Sequence, residues 1–252
     1  SNLSNETIRA GHQMESKAIR NCQLAVYSSD WAAQSAITRY KADPKKVKVI
    51  PFGANIPFRR ESDSVRKLIL DRSRSVCKLL FIGMDWYRKG GDKAVDVALR
   101  LNESGIRTEL ITIGCMPNLD RPLPSFVKQL GFISKDLASG RQKIEQLIGQ
   151  SHFLILPSRA DCTPIVVSEA NSLGVPVLCT NVGGLPTIVH SDMNGKLFSL
   201  DEKTAKWCSY ISDLLENYDN YQSLALSSLE EYLKRLNWTS STTAIKELLM
   251  TI

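Results

Sequence analysis

LPSRADCTPIVVSEANSLGVP, residues 156–176, is the stretch that decides the fold. An apolar strand ending at Leu156 runs into a polar loop, and the loop into a helix. Two carboxylates, Asp161 and Glu169, stand eight residues apart along it. Thr163 is expected to cap the helix and Pro164 to take its first position, where a missing N–H costs nothing. Asp161 then falls in the loop before the helix and Glu169 in its second turn. The N–H groups of Ile165 and Val166 have no intrahelical acceptor, so a small anion pocket is expected between the two acids. A ligand with hydroxyls at both ends and phosphates between suits that arrangement, and a nucleotide-sugar is such a ligand.

Outward from this stretch, short apolar strands alternate with helix-period segments. Strands are expected at 79–83 (LLFIG), 107–114 (RTELITIG), 129–133 (QLGFI), 152–157 (HFLILP), 175–180 (VPVLCT) and 195–199 (GKLFS). Helices are expected at 92–101, where Ala94, Val97, Ala98 and Leu101 share one face, at 144–150 and at 164–173. Residues 182–190 (VGGLPTIVH) read as a glycine-punctuated loop and short helix. Strands apolar throughout and alternating with helices predict a Rossmann-like α/β fold, a parallel sheet with helices on both faces. Ligand sites then lie at the carboxyl ends of the strands.

The flanks differ in pattern. Residues 4–22 read as a polar helix, 23–28 as a strand, 30–41 as a helix and 47–50 as a strand. PFGANIPFRRESDS (51–64) has Pro, Gly and charge without periodicity and is expected to be a linker. Residues 65–200 then form the Rossmann-like unit, and 201–252 two or three consecutive helices.

Composition narrows the class. An apolar fraction of 43% and a charged fraction of 23% are ordinary for a soluble globular protein. No apolar run approaches the ~20 residues of a membrane helix. The chain begins Ser1-Asn2 without methionine or signal peptide and reads as part of a longer protein. Six scattered cysteines without C-x-x-C point to a reducing cytoplasm. His12, His152 and His190 show no metal-ligand spacing. Residues 1–100 hold 19 Lys/Arg against 10 Asp/Glu, and residues 101–252 hold 13 against 16. No dense basic stripe with interleaved aromatics accompanies that excess, so nucleic acid is not an expected partner.

A second chemistry-bearing segment is GMDWYRKGG (83–91), which follows a strand and opens a helix. Its glycines permit a tight turn, and Arg88-Lys89 places cations before a helix N-terminus. It is neither G-x-G-x-x-G nor a P-loop. Each acid also has a purely structural reading, Asp161 as helix-dipole electrostatics and Glu169 as a core-edge residue. No base stands beside Cys162 in the sequence to make it a nucleophile.

Taken together and in order, VKVIPFGANI (47–56), LLFIGMDWYRKGGDKAV (79–95), QLGFIS (129–134), residues 156–186 and NGKLF (194–198) resemble a known family. They resemble the carboxyl-terminal half of retaining glycosyltransferases of GT-B architecture, the group 1 or family 4 class. That family's hallmark is Glu-x7-Glu, then A-x-x-x-G-x-P-V and a Gly-Gly turn. Here it reads Asp161-x7-Glu169, Ala170, Gly174, Pro176-Val177 and Gly183-Gly184. The resemblance covers about residues 22–200.

By this resemblance Glu169 holds the donor ribose hydroxyls and Asp161 faces the donor sugar, the two acids forming the catalytic pair. Thr163, Pro164, Ile165 and Val166 match the segment whose amides meet sugar or diphosphate. Lys89 matches the diphosphate lysine with Arg88 as helper, and Phe132 and Ile133 match the stretch that meets the base. The implied donor is a UDP- or GDP-linked sugar bound without a metal ion or other cofactor. Three departures stand out: Asp161 is a methylene shorter than the usual Glu, Cys162-Thr163 replaces an aromatic-glycine pair, and Met84 stands where many members place Arg. Residues 1–50 match the tail of the amino-terminal domain, which takes a glycan or lipid-linked acceptor. The implied setting is cytoplasmic, with membrane contact at most peripheral. This chain is therefore expected to bind donor and to catalyse poorly alone. The rival readings are a nucleotide-sugar epimerase of similar fold and a non-catalytic binding or scaffold module.

Overall fold

A computed structural model describes residues 3–55, 61–117 and 122–251. The chain opens with helix α1 (Asn5–Asn21), strand β1 (Ala25–Tyr27), helix α2 (Asp30–Tyr40) and strand β2 (Val47–Val49), and β1 pairs β2 in parallel. Helix α3 (Ser62–Leu70) follows, burying Val65 and Ile69. The linker expected over 51–64 is therefore shorter: Ser62 to Ser64 are helical because Val65 and Ile69 share an inward face, and residues 56–60 lie outside the described residues.

The larger sheet is parallel throughout. Along the chain come β3 (Cys77–Gly83), the one-turn α4 (Trp86–Lys89), α5 (Gly91–Glu103), β4 (Thr108–Gly114), β5 (Val127–Gln129) and α6 (Ala138–Gly149). Then follow β6 (Phe153–Leu156), α7 (Ile165–Asn171), β7 (Val177–Thr180), α8 (Leu185–Ile188) and β8 (Gly195–Phe198). Their order is β5-β4-β3-β6-β7-β8, so the winding direction reverses between β3 and β6. A crevice opens outside the carboxyl ends of the strands at such a reversal. Both faces of the central strands are covered: Leu79, Leu80, Phe81 and all of β6 and β7 are buried. Helix α5 buries the expected face, Ala94, Val97, Ala98 and Leu101.

One strand is displaced from its expected place. The pattern suggested 129–133, whereas β5 ends at Gln129 and Gly131 takes a left-handed φ of 65°. Leu130 still donates to the Thr112 carbonyl, and the turn at Gly131 then leaves Phe132 68% exposed. Thr163 is not the cap of α7. Pro164 occupies that position itself, at φ −78° and ψ 96°, with no side-chain capping bond. The Thr163 hydroxyl instead meets Ser28 Oγ at 2.7 Å, a partner from the other end of the chain. Helix α7 begins with three β-branched residues, poor helix formers, and is held by the burial of Val167 and Ala170.

Three helices close the chain: α9 (Thr204–Glu216), α10 (Tyr218–Arg235) and α11 (Trp238–Leu249). Trp207 of α9 stacks on Phe198 at 4.0 Å, and α10 buries Tyr221, Ala225 and Leu229. Helix α11 returns to residues 51–55. Ser241 Oγ donates to the Pro51 carbonyl at 2.7 Å, Trp238 Nε1 donates to Asn55 Oδ1 at 2.9 Å, and the Trp238 ring stacks on Phe52.

Beneath the sheet's amino-terminal ends, Arg72 is a buried cation that takes carbonyls rather than a carboxylate. It donates to the carbonyls of Gly149, Leu173 and Gly174 and to the Tyr221 hydroxyl. His152 lies beside it, donating from Nε2 to the Ser73 carbonyl at 2.8 Å and accepting the Lys78 N–H at Nδ1. Burial, reinforced by the charges of Arg72 and Lys78, pushes the His152 pKa down to about 4. An unfolded histidine titrates near 6.5. The unfolded chain therefore binds a proton that the native chain refuses between those values. The stabilisation is complete above about pH 6.5 and is lost as pH falls toward 4. Urea denaturation should show a loss of about 2 kcal/mol between pH 7 and pH 5. His152→Gln should remove most of that slope, and an unchanged slope would exclude the assignment.

Candidate functional site

The loops after β3 and β6 meet at the winding reversal and are tied together there. Arg159 is bidentate to Asp92 at 2.9 and 2.7 Å and also donates to the Tyr87 carbonyl. That pairing holds Asp92 below its usual carboxylate range. The Arg159 N–H donates to the Arg88 carbonyl at 2.7 Å, and the Arg88 guanidinium donates to the Ala160 carbonyl at 3.1 Å. Gly90 makes the approach feasible. It sits at φ 77°, and a Cβ there would lie 2.0 Å from the Pro157 carbonyl oxygen. The close approach is thus to protein backbone rather than to open cleft.

This zippering brings Lys89 Nζ onto Asp161 Oδ2 in an ion pair that is mostly buried. Asp161 is fixed from behind by the Gly183-Gly184 turn, whose Gly184 N–H donates to the Asp161 carbonyl at 3.0 Å. A Cβ on Gly184 would fall 1.8 Å from the Cys162 carbonyl oxygen, so only glycine lets the turn sit this close.

Glu169 lies fully buried in α7, and Lys135 Nζ meets its two carboxylate oxygens at 2.6 and 2.7 Å. Lys135 itself keeps 44% of its side chain exposed, so the buried carboxylate is neutralised by a cation that reaches solvent. The backbone of Lys135 is clamped by Arg141, which donates to its carbonyl at 2.6 Å. Phe132 and Ile133 are in the same loop, Phe132 exposed and Ile133 packed against the core. Among the described residues, no acceptor meets the Ile165 or Val166 amides. Two lysine–carboxylate pairs thus flank the start of α7, where the sequence suggested two bare acids.

A cleft of about 430 Å³ opens beside Asp161, lined by Arg88, Arg159, Ala160, Cys162, Val182, Gly183 and Trp31. Trp31 comes from the other side, in the first turn of α2. The two sides are pinned by Ser28 on Thr163, by the Asp30 N–H donating to Thr187 Oγ1 at 2.9 Å, and by Thr187 Oγ1 donating to Asp30 Oδ2.

Residues 77–217, more than half of the chain and all of the large sheet, match the family described as glycosyl transferases group 1. The chain is a member of that family. Among curated relatives, it is 24% identical over 239 residues to a D-inositol 3-phosphate glycosyltransferase of Nocardioides sp., covering 86% of this chain and 51% of that protein. It is 28% identical over 152 residues to the lipopolysaccharide glucosyltransferase WaaG of Escherichia coli, covering 58% of this chain and 40% of WaaG. The chain spans about half the length of the curated relatives it matches. Among solved structures, it superposes on Anabaena HepE in complex with UDP with a TM-score of 0.74 at 19% identity, over 100% of this chain and 69% of HepE. It superposes on sucrose-phosphate synthase from Thermosynechococcus elongatus with a TM-score of 0.73 at 18% identity, over 96% of this chain and 61% of that one. These similarities place the fold among GT-B glycosyltransferases.

In this group 1 member, Arg88 and Asp161 line the cleft with Trp31, Lys89 pairs with Asp161 beside it, Thr163 is held by Ser28, and Glu169 forms its own pair with Lys135. A lone lysine in a loop carries no periodic signal. The counter-ion rule was the available clue to Lys135, since a buried carboxylate inside an apolar helix demands a cation. Nothing local to Trp31 distinguishes it from a core aromatic of α2.

Proposed function

We propose that this chain is the donor-binding half of a retaining glycosyltransferase of the group 1 family. It would hold a nucleoside-diphosphate sugar, UDP- or GDP-linked, for transfer to a glycan or lipid-linked acceptor. The single observation that carries this reading is the pair of buried acids, Asp161 and Glu169, each neutralised by a lysine at the winding reversal of the sheet. Lys89 and Lys135 are cations held in place before any ligand arrives, which is what a diphosphate requires. Arg88 adds a third positive group beside them. In this reading Glu169 accepts from the ribose hydroxyls, Asp161 accepts from the sugar hydroxyls, and the backbone around Phe132 and Ile133 meets the base. The segment from Thr163 through Pro164, Ile165 and Val166 faces the diphosphate and sugar. HepE has been crystallised with UDP and with UDP-glucose, which supports a nucleotide-sugar as the donor class.

Lys89, shared between Asp161 and the diphosphate, and Arg88 would supply the charge neutralisation that a divalent cation supplies in other folds, so the proposed binding needs no metal. Among the described residues no helix is long and apolar enough to cross a membrane. The proposed setting is the cytoplasm, with any membrane contact peripheral. The acceptor site and catalytic base are assigned to the amino-terminal domain, to which α1, α2 and the small sheet belong, so these 252 residues alone should show negligible transfer.

A thermal-shift panel tests this. UDP or GDP at 100 times its Kd should stabilise the chain by about 2.7 kcal/mol. The shift should be unaffected by EDTA or Mg²⁺ and should shrink with salt. No response to any nucleotide, NAD included, would favour a scaffold. Glu169→Gln should weaken nucleoside-diphosphate binding by about 1.5–3 kcal/mol, the scale of hydrogen bonds to a charged group. Calorimetry showing unchanged affinity would remove Glu169 from the site.

A further inference from the structure

We infer that Trp31 is the stacking platform for the donor's sugar ring, closing over the pyranose from the side opposite Asp161. The inference deepens the donor reading above and rests on it.

Trp31 is 57% exposed, yet it is not a stray surface aromatic. Its ring helps line the cleft whose other walls are Arg88, Arg159, Ala160, Asp161, Cys162, Val182 and Gly183. Those walls come from the segments that follow β3, β6 and β7, Arg88 from α4 among them, whereas Trp31 comes from α2. The indole is therefore a large flat apolar surface facing a wall that carries the Asp161 carboxylate and the guanidinium groups of Arg88 and Arg159. A volume of about 430 Å³ falls within the roughly 300–1,000 Å³ typical of small-molecule sites.

The residues before Trp31 are tied to the opposite wall at three consecutive positions. Ser28 meets Thr163, Ser29 packs beside Gly184 and caps α2 through the Ala32 N–H, and Asp30 meets Thr187 twice. Thr163 and the Gly183-Gly184 turn are the same elements that fix Asp161. The distance between indole and carboxylate is thus set by short hydrogen-bonded links rather than by a free surface loop.

A pyranose has hydroxyls around its rim and C–H groups on its faces. A carboxylate serves the rim, and an aromatic ring with two rotatable bonds serves a face at low entropic cost. Asp161 and Trp31 offer those two functions across one cleft. Lys89 and Glu169, assigned above to the diphosphate and the ribose, do not line the cleft that Trp31 shares with Asp161 and Arg88, so the contribution of Trp31 is to the sugar. Asp161 is a methylene shorter than the Glu of the family hallmark, and a platform on the far side would hold the ring against it.

The test compares UDP-glucose, UDP-galactose, UDP-N-acetylglucosamine and GDP-mannose, each against its own nucleoside diphosphate, on the 252-residue chain. At least one sugar nucleotide should bind more tightly than its diphosphate. Trp31→Ala should cut that advantage roughly five- to tenfold while leaving UDP or GDP affinity unchanged, and Trp31→Phe should retain most of it. Acrylamide quenching gives a second readout. Trp86 and Trp207 are buried, so quenchable emission comes from Trp31 and Trp238. The matching sugar nucleotide should protect the wild type beyond what its diphosphate does, and Trp31→Phe should abolish that extra protection. If Trp31→Ala does not fold, the quenching comparison with Trp31→Phe decides alone. The inference is overturned if no sugar nucleotide gains over its diphosphate or if Trp31→Ala leaves the gain intact. It is equally overturned if Trp31→Ala weakens diphosphate and sugar nucleotide alike, or if the extra protection survives in Trp31→Phe. Binding of UDP or GDP in those cases leaves the donor reading standing, whereas failure of every nucleotide to bind removes both.

Discussion

Lys89→Ala should lower affinity for UDP or GDP by about 100-fold, close to 3 kcal/mol, and change affinity for the bare nucleoside by less than about threefold. Two effects add. The substitution removes the cation proposed to meet the diphosphate, and it leaves Asp161 as a mostly buried carboxylate without its counter-ion. A nucleoside has no charge to register either change. The salt dependence of diphosphate binding should flatten in the variant, because the screened charge pair is gone. Equal losses for nucleoside and diphosphate would make Lys89 a structural residue and relocate the cleft.

The largest expected loss of stability lies at the opposite, amino-terminal ends of the strands. Arg72→Leu should lower the free energy of unfolding by about 4 kcal/mol, measured by urea denaturation at pH 7. The guanidinium satisfies three carbonyls at the ends of α6 and of the turn after α7, together with the Tyr221 hydroxyl. Leucine fills much of the volume and leaves those four groups with no donor in a dry interior. A charge at the carboxyl ends of two helices also favours their dipoles, and that contribution disappears too. The cleft beside Asp161 is built from other segments, so nucleotide affinity of the folded variant should be unchanged. A loss below about 1 kcal/mol would mean that water replaces the guanidinium at these carbonyls.

How much of this was legible in the sequence follows from the range of each interaction. The centre of β3 and all of β6 were legible because a strand covered on both faces must be apolar at every position, and LLFIG and FLIL are. The face of α5 was legible for the same reason in its own period. β5 was misplaced because apolar residues continue through Leu130, Phe132 and Ile133 after the left-handed Gly131 has turned the chain out of the sheet. Thr163 satisfies every local rule for a cap, and a serine 135 residues earlier in the chain took its hydroxyl. Lys135 and Trp31 share that character. Their partners are decided by where β5 and α2 lie in space, which local pattern does not encode. The return of α11 to residues 51–55 is likewise a tertiary fact, carried by Ser241, Trp238 and Phe52. The acids Asp161 and Glu169 were found by their spacing, but their pairing with lysines came only with the fold.

A crystal structure of this chain with the nucleoside diphosphate that gives the largest thermal shift tests the central claim most directly. The expected result places the phosphates within hydrogen-bond distance of Lys89 Nζ, with the ribose hydroxyls on Glu169 and Lys135 moved aside or shared. A nucleotide bound elsewhere, or one whose diphosphate points away from Lys89 while Glu169 keeps Lys135 as its sole partner, would contradict it.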